Sequence, residues 1–272
     1  MIAFPNAKIN LGLHVLSRRA DGYHNLETVF YPVNLKDAVE IVENYDTPAP
    51  EVLWGASGIT VPGDLENNLC LKAFHLIKND FSPIPPIKLH LHKNIPLGAG
   101  LGGGSANAAF TLQLLNEKFN LQIPKNKLQQ YALKLGSDCP FFLVNNPSLA
   151  HGRGEELLPI EINLDSYKIL MVNPGIIVNT AWAFSKIELQ PQQRETIASI
   201  IKMPVTEWKN RLENDFEKPV FAAHPQIKNI KEALYEQGAV YAAMSGSGSS
   251  VFGIFHEQKE IKFPETYFCK WV

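Results

Sequence analysis

The chain has 272 residues, of which 45% are hydrophobic and 19% charged, the balance of a packed protein with room for one large domain or two ordinary ones. A net charge of -2 offers no basic stripe for nucleic acid, and the three cysteines, Cys70, Cys139 and Cys269, are too few and too scattered for a disulfide framework or a zinc site. No segment approaches the roughly 20 apolar residues of a membrane span, and Lys8 and Asn10 interrupt the apolar run near the N-terminus, so a cytoplasmic location is expected.

Residues 7–17, "AKINLGLHVLS", read as a strand, and Asp21-Gly22 signals a turn. "ETVFYPVNLKDAVEIVEN" reads as one or two further strands before a polar, Pro/Gly-rich section near 46–64. Leu69, Ala73, Leu76 and Ile77 are spaced for a helix. From Ile87, "IKLHLHKNI" alternates apolar and polar residues, as a half-exposed antiparallel strand does. "PLGAGLGGGSANAA", Pro96 to Ala109, then opens onto a helix with Ser105 as its expected N-cap. "PKNKLQQYALKLG" predicts a second helix ending at Gly136, and "SDCPFFLV" an Asp before a buried strand.

Composition changes near 152–165. Beyond it the sequence predicts a strand in "YKILMVNPG", helices around 179–186, 194–201, 205–213 and 225–237, and two strands flanking a glycine-serine turn in "AVYAAMSGSGSSVFGIF". Strands and helices do not alternate as a doubly wound sheet requires. The expectation is an α+β fold in two halves, 1–155 and 156–272.

The first glycine stretch matches G-x-G-x-x-G at Gly98, Gly100 and Gly103. A dinucleotide fingerprint also needs a buried parallel strand before it and an acidic residue about 20 positions on. The preceding strand carries His and Lys, and Glu117 falls within the helix. No Gly-Lys-Ser/Thr closes the run, so it is not a Walker A loop either. What remains is the physics both share: glycine amides approach an anion closely, and a helix N-terminus adds donors and dipole.

"PLGAGLGGGSANAA" resembles the phosphate-binding motif of the GHMP kinases, the small-molecule kinases of galactose, homoserine, mevalonate and phosphomevalonate type. "PNAKINLGLHV" and "AMSGSGSSVFGIF" resemble that superfamily's other two signatures, in the same order and over nearly the whole chain. Within it, "AKINLGLHVLSRRADGYH", "LGSDCPFF" and "GRGE" resemble the 4-diphosphocytidyl-2-C-methyl-D-erythritol kinase family. The resemblance implies a two-domain GHMP kinase fold with a deep cleft between the domains. It implies phosphorylation of the 2-hydroxyl of that cytidine diphosphate-linked sugar alcohol by ATP, a step of non-mevalonate isoprenoid-precursor synthesis. Expected partners are ATP and this acceptor, with no nucleic acid and no membrane, and the chain acts as a monomer or homodimer.

Lys8 and Asp138 match the positions the family assigns as catalytic. Taken alone, Lys8 is an edge residue reaching solvent and Asp138 a turn cap. In phosphoryl transfer a carboxylate accepts the attacking hydroxyl's proton while a cation offsets charge. Asp138 is therefore the expected base, with Lys8 orienting it. Asn10 shares a strand face with Lys8 and is an expected substrate contact. Tyr23 and His24 are expected to hold the cytosine, with Phe184 as the opposite wall and Trp182 as its alternative. For ATP, the expected contacts are Pro96, Leu97, Gly98, Ala99, Gly100, Leu101, Gly102, Gly103, Gly104, Ser105 and Ala106 around the phosphates, with Asn68 and Lys93 toward the adenosine. Mg2+ is required by the chemistry, and Ser105 is its one candidate ligand. The Ser245–Ser250 turn is expected to face substrate phosphates, its alternative being a plain hairpin.

The chain departs from the family in Ser105-Ala106, where Ser-Ser is common, in Ser249-Ser250, where Pro-Thr is more usual, and at His151 and Arg153. Rival readings are a homoserine or mevalonate kinase, a silent nucleotide-binding protein of the same fold, and a dehydrogenase. "RADGYH" disfavours the first, because those substrates have no base to stack. Lys8 and Asp138 disfavour the second, and the glycine context the third.

Overall fold

A computed structural model describes residues 1–46, 48–81, 83–189 and 194–272. In chain order it runs β1 (Ile2–Ala3), β2 (Asn6–Arg18), β3 (His24–Lys36), β4 (Ala38–Glu43), β5 (Val52–Gly58), α1 (Leu69–Asp80), β6 (Ile87–Lys93), α2 (Gly103–Lys118), α3 (Lys125–Leu135) and α4 (Cys139–Val144). Then follow β7 (Ser148–His151), β8 (Glu156–Pro159), β9 (Lys168–Asn173), α5 (Thr180–Ser185), α6 (Ile197–Ile200), α7 (Glu217–Ala223), α8 (Pro225–Glu236), β10 (Tyr241–Met244), β11 (Val251–Phe255) and β12 (Phe268–Trp271). The fold is α+β, as expected.

Two compact units form, interleaved in sequence: Met1–Ala7, Asn34–Leu97 and Gly102–Asn145 make the first, and Lys8–Val33, Gly98–Leu101 and Asn146–Val272 the second. These units follow packing rather than the linear division at 155/156.

In the first unit, a sheet ordered β1-β4-β6-β5 packs against helices α1 to α4. Its core includes Val39, Ile41, Phe74, Leu89, Leu112 and Tyr131. The alternating strand β6 buries Ile87, Leu89 and Leu91 and turns its histidines outward. It runs antiparallel to β4 and parallel to β5. The second unit holds a sheet ordered β10-β11-β9-β12 and most of one ordered β2-β3-β7-β8. Its core includes Leu13, Leu26, Val172, Phe216, Ile230 and Val251.

Several expectations need correction. "CPFFLV" is the helix α4 and not a strand; a short apolar run fits either, and Pro140 stands where its missing N–H costs nothing, in the first turn. Helix α2 starts at Gly103 with Gly102 as N-cap in the left-handed region, so Ser105 lies inside the first turn. The stretch 205–213 holds only a 3-10 turn, Val205–Glu207, while α7 was not foreseen. The polar section near 46–64 contains β5, with residue 47 outside the described residues.

Candidate active site

In the second unit, alternation along β2 places Lys8 and Asn10 on one face, both buried. Lys8 Nζ donates to Asn10 Oδ1 at 2.5 Å and lies 4.7 Å from the Phe30 ring centre. Asn10 Nδ2 donates to Thr28 Oγ1 at 2.9 Å. Lys8 is therefore no edge residue reaching solvent; its ammonium is held over a ring by an oriented amide.

Both glycine turns brace this strand. Ser245 Oγ accepts the Asn10 N–H at 3.2 Å and donates to Gly100 O at 2.8 Å. Ser250 N–H donates to Ala99 O at 3.1 Å. At Gly100, φ is +74°, and a Cβ there would stand 1.9 Å from Ser245 O. Only glycine allows this approach. Lys8 N–H donates to Leu101 O at 3.0 Å, which ties the first turn to β2 as well. The second turn is fixed further by two buried asparagines. Asn173 Nδ2 donates to Ser249 Oγ and Ser250 Oγ, both at 3.0 Å, and Asn214 Nδ2 to Met244 O and Gly246 O.

The expected aromatic wall is also in this unit. His24 stacks on Phe184, ring centres 4.8 Å apart and planes inclined by 14°. The two rings touch, so they form one wall and not two opposite ones, and the stacking covers one face of each ring. Phe184 in turn meets the edge of Phe216. Trp182 lines a separate cavity of about 1140 Å³. Tyr23 is exposed, with the Arg153 guanidinium 4.9 Å from its ring centre. Burial, aided by the Arg18 charge, holds the His24 imidazole below its ordinary value of 6.5, so the ring is neutral at pH 7.

In the first unit, a hollow of about 340 Å³ is lined by Trp54, Asn68, Lys93, Leu97, Gly104 and Asn107 among others. Asn68 Oδ1 accepts the Cys70 and Leu71 N–H groups, capping α1. Lys93 is no surface residue: its side chain is 1% exposed and ion-paired with the buried Asp37. Burial lowers the Lys93 pKa, and the Asp37 carboxylate offsets part of that. Asp37 also accepts from Asn94 N at 2.7 Å, Ile95 N at 2.8 Å and Asn107 Nδ2 at 2.8 Å. A Cβ on Gly103 would stand 2.8 Å from Lys93 Nζ, so this frame reaches the start of α2. There Ala106 N–H bonds back to Gly102 O at 2.8 Å, leaving the amides of Gly103, Gly104 and Ser105 without an intrahelical acceptor, as at any helix N-terminus.

Asp138 is partly buried and is the residue before α4. Its neighbour Cys139 is fully buried, which pushes the thiol up to about 12; a hydrogen bond with Ser105 opposes this in part. Cys70 is raised by burial to about 11. Neither thiol is a nucleophile at neutral pH. Among the described residues no three His, Cys, Asp or Glu side chains group to hold a metal ion.

Sequence reasoning missed Asp37, Thr28, Asn107, Asn173 and Asn214. A signal existed for Asp37 alone: Leu35, Val39 and Ile41 are buried at alternate positions about it, so a carboxylate in that series must face inward.

The patterns described as "GHMP kinases N terminal domain" and "GHMP kinases C terminal" match residues 68–146 and 196–266. The 4-diphosphocytidyl-2-C-methyl-D-erythritol kinase of Bacteroides fragilis (strain YCH46) is 52% identical over 262 residues, 96% of this chain and 94% of the relative. That of Azobacteroides pseudotrichonymphae is 50% identical, over 94% and 93%. A crystal structure of 4-(cytidine 5'-diphospho)-2C-methyl-D-erythritol kinase aligns with a TM-score of 0.78 at 29% identity, covering 93% of this chain and 90% of the other. A mevalonate kinase structure aligns at 0.69 but 14% identity, over 94% and 91%, and shares the fold alone.

Proposed function

The chain belongs to the GHMP kinases, within the 4-diphosphocytidyl-2-C-methyl-D-erythritol kinase family, and from that premise we infer that it transfers the γ-phosphoryl group of ATP to the 2-hydroxyl of 4-diphosphocytidyl-2-C-methyl-D-erythritol, a step in isoprenoid-precursor synthesis. What supports the reading is Ser245: one hydroxyl joins Asn10 of β2 to Gly100, so the strand carrying Lys8 and both glycine turns are built as one piece. The other GHMP acceptors are not favoured, since relatives near 50% identity over nearly the whole chain carry the cytidyl kinase name.

The roles follow. The adenosine enters the hollow beside Asn68 and Lys93, and the amides of the first glycine turn and the start of α2 receive the phosphates. The acceptor's cytosine stacks on the wall of Tyr23, His24 and Phe184. The neutral His24 offers one donor and one acceptor to the base edge. Asn10 orients the acceptor chain, and the Ser245–Ser250 turn receives its phosphates. Asp138 takes the proton of the attacking hydroxyl as the new P–O bond forms and ADP departs, while Lys8 supplies positive charge to the reacting groups.

Mg2+ arriving with ATP would offset the phosphate charge during transfer. No three His, Cys, Asp or Glu side chains group among the described residues, so the chain fits an ion that arrives on ATP rather than a resident metal, and the Ser105 hydroxyl would be its protein ligand. No helix among the described residues is long and apolar enough to cross a membrane. Three free thiols, Cys70, Cys139 and Cys269, support a reducing cytoplasm.

The test is ADP release with the cytidine substrate, mevalonate and homoserine offered separately. Release with the cytidine substrate alone is expected; release with either of the others at a comparable kcat/KM would defeat the specificity argument.

A further inference from the structure

The second glycine turn stands on a side chain that the reaction scheme above does not use. Asn214 is 3% exposed and lies just before α7. Its Nδ2 donates to Met244 O at 2.7 Å and Gly246 O at 2.8 Å, and its Oδ1 accepts the Phe216 N–H at 3.0 Å. Its backbone neighbours are stitched to β2: Leu13 N–H donates to Glu213 O at 2.8 Å, and Asp215 N–H to Leu13 O at 2.9 Å. Asp215 Oδ2 accepts the Val15 N–H at 2.7 Å.

The two carbonyls that Asn214 holds flank Ser245, whose hydroxyl meets Asn10 and Gly100. We propose that Asn214 is a positioning residue for phosphoryl transfer, setting the register between strand β2, which carries Lys8 and Asn10, and the Ser245–Ser250 turn. The inference rests on the reading that these two elements face the acceptor. Asparagine is the residue that can do this. Its amide donates twice and accepts once from a single short head, whereas an ionised aspartate donates nothing and a serine donates once. Displacing such a register by about 1 Å costs on the order of 100-fold in rate.

Two variants test it, with Asn10→Ala as reference for the site itself. Asn214→Leu keeps the volume and removes both donors. Its kcat is expected to fall about 30-fold well below its melting temperature, while KM for ATP stays within about 3-fold. Asn214→Asp carries a pH signature. The protonated carboxyl keeps one donor and the carboxylate keeps none.

Around that position stand two carbonyl oxygens and the acidic groups Glu213, Asp215 and Glu217. The nearby cations are engaged, Arg194 with Asp215 and Lys231 with Glu217. The introduced carboxyl therefore ionises above its usual range, and kcat of Asn214→Asp is expected to fall with rising pH along a limb the native protein lacks.

An Asn214→Asp profile that superimposes on the native one, or an Asn214→Leu kcat within about 2-fold of native, overturns the proposal. If Asn10→Ala also leaves turnover intact, the reading of the site has failed. If Asn10→Ala loses turnover while Asn214→Leu keeps it, positioning alone has failed. Should Asn214→Leu not fold, the Asn214→Asp profile decides.

Discussion

The two glycine-containing turns differ in what holds them. The first, from Gly98 to Gly104, opens the 16-residue helix α2, and beneath its approach lies a buried ion pair, Lys93 with Asp37, capped by the Asn94 and Ile95 amides and Asn107. The second, Ser245 to Ser250, joins two buried strands and rests on neutral amides, Asn173 and Asn214. The pair under the first turn neutralises itself, so under the proposed function the attraction for phosphate would come from the helix amides and not from the lysine. The side chains that hold the second turn itself are neutral and supply shape, while an ion pair, Glu217 with Lys231, meets the strand before it at the Met244 N–H. A glycine-rich run therefore takes its meaning from what it opens onto: under the proposed function the helix after the first turn supplies amides for the ATP phosphates, and the hairpin holds the second turn in shape toward the acceptor.

The largest effect should come from a change that leaves both turns standing. Asp138→Asn is expected to lower kcat about 1000-fold, with an unchanged circular dichroism spectrum and KM for ATP. Near-normal turnover would remove Asp138 from the chemistry.

Breaking the charged support is next. Asp37→Asn leaves the Lys93 ammonium buried without its carboxylate, which should cost about 3–5 kcal/mol of stability by urea unfolding. A loss below about 1 kcal/mol would mean that the pair is not the frame of the first turn.

His24→Ala acts on the aromatic wall. It is expected to raise KM for the cytidine substrate about 30-fold, in line with one lost base stack, and to leave KM for ATP unchanged. The native enzyme should show the same loss in acid. Because burial and Arg18 depress the His24 pKa, the ring stays neutral through pH 7 and protonates only as pH falls below its ordinary 6.5. Substrate KM should rise there, and the rise should vanish in His24→Ala. Any stability drawn from the neutral ring follows the same sign, present above about pH 6.5 and lost as pH drops through the folded value.

The smallest effect belongs to Asn68→Ala, which removes the cap of α1. About 1 kcal/mol of stability should go, with a rise of a few-fold in KM for ATP. A stability change without any change in KM would make Asn68 a cap and nothing more.

Much of this was legible in the chain. Periodicity located α1 and β6, each of which buries one face, whereas β2 and the β10–β11 hairpin, buried along nearly their whole length, were read from apolar and β-branched runs beside turn signals. Lys8 and Asn10 share a face for the simple reason that a strand repeats every second residue. Helix α4 was not legible, because "CPFFLV" is apolar throughout and gives no period to read. Ser105 looked like an N-cap because serine is good at capping, but Gly102 reaches the left-handed conformation and takes that place first. The wall of His24 and Phe184 was visible as residue types, yet their direct stacking depends on a fold that brings positions 24 and 184 together. Asn214 gave no sign at all. Its role depends on carbonyls at 244 and 246, which only tertiary structure assembles.

The assigned reaction is open to direct test by phosphorus NMR of the purified protein with MgATP and the cytidine diphosphate-linked sugar alcohol. It predicts a new phosphomonoester resonance growing in step with ADP. An ATP γ-phosphate that persists with this acceptor, while mevalonate or homoserine is consumed, would keep the fold and contradict the assigned reaction.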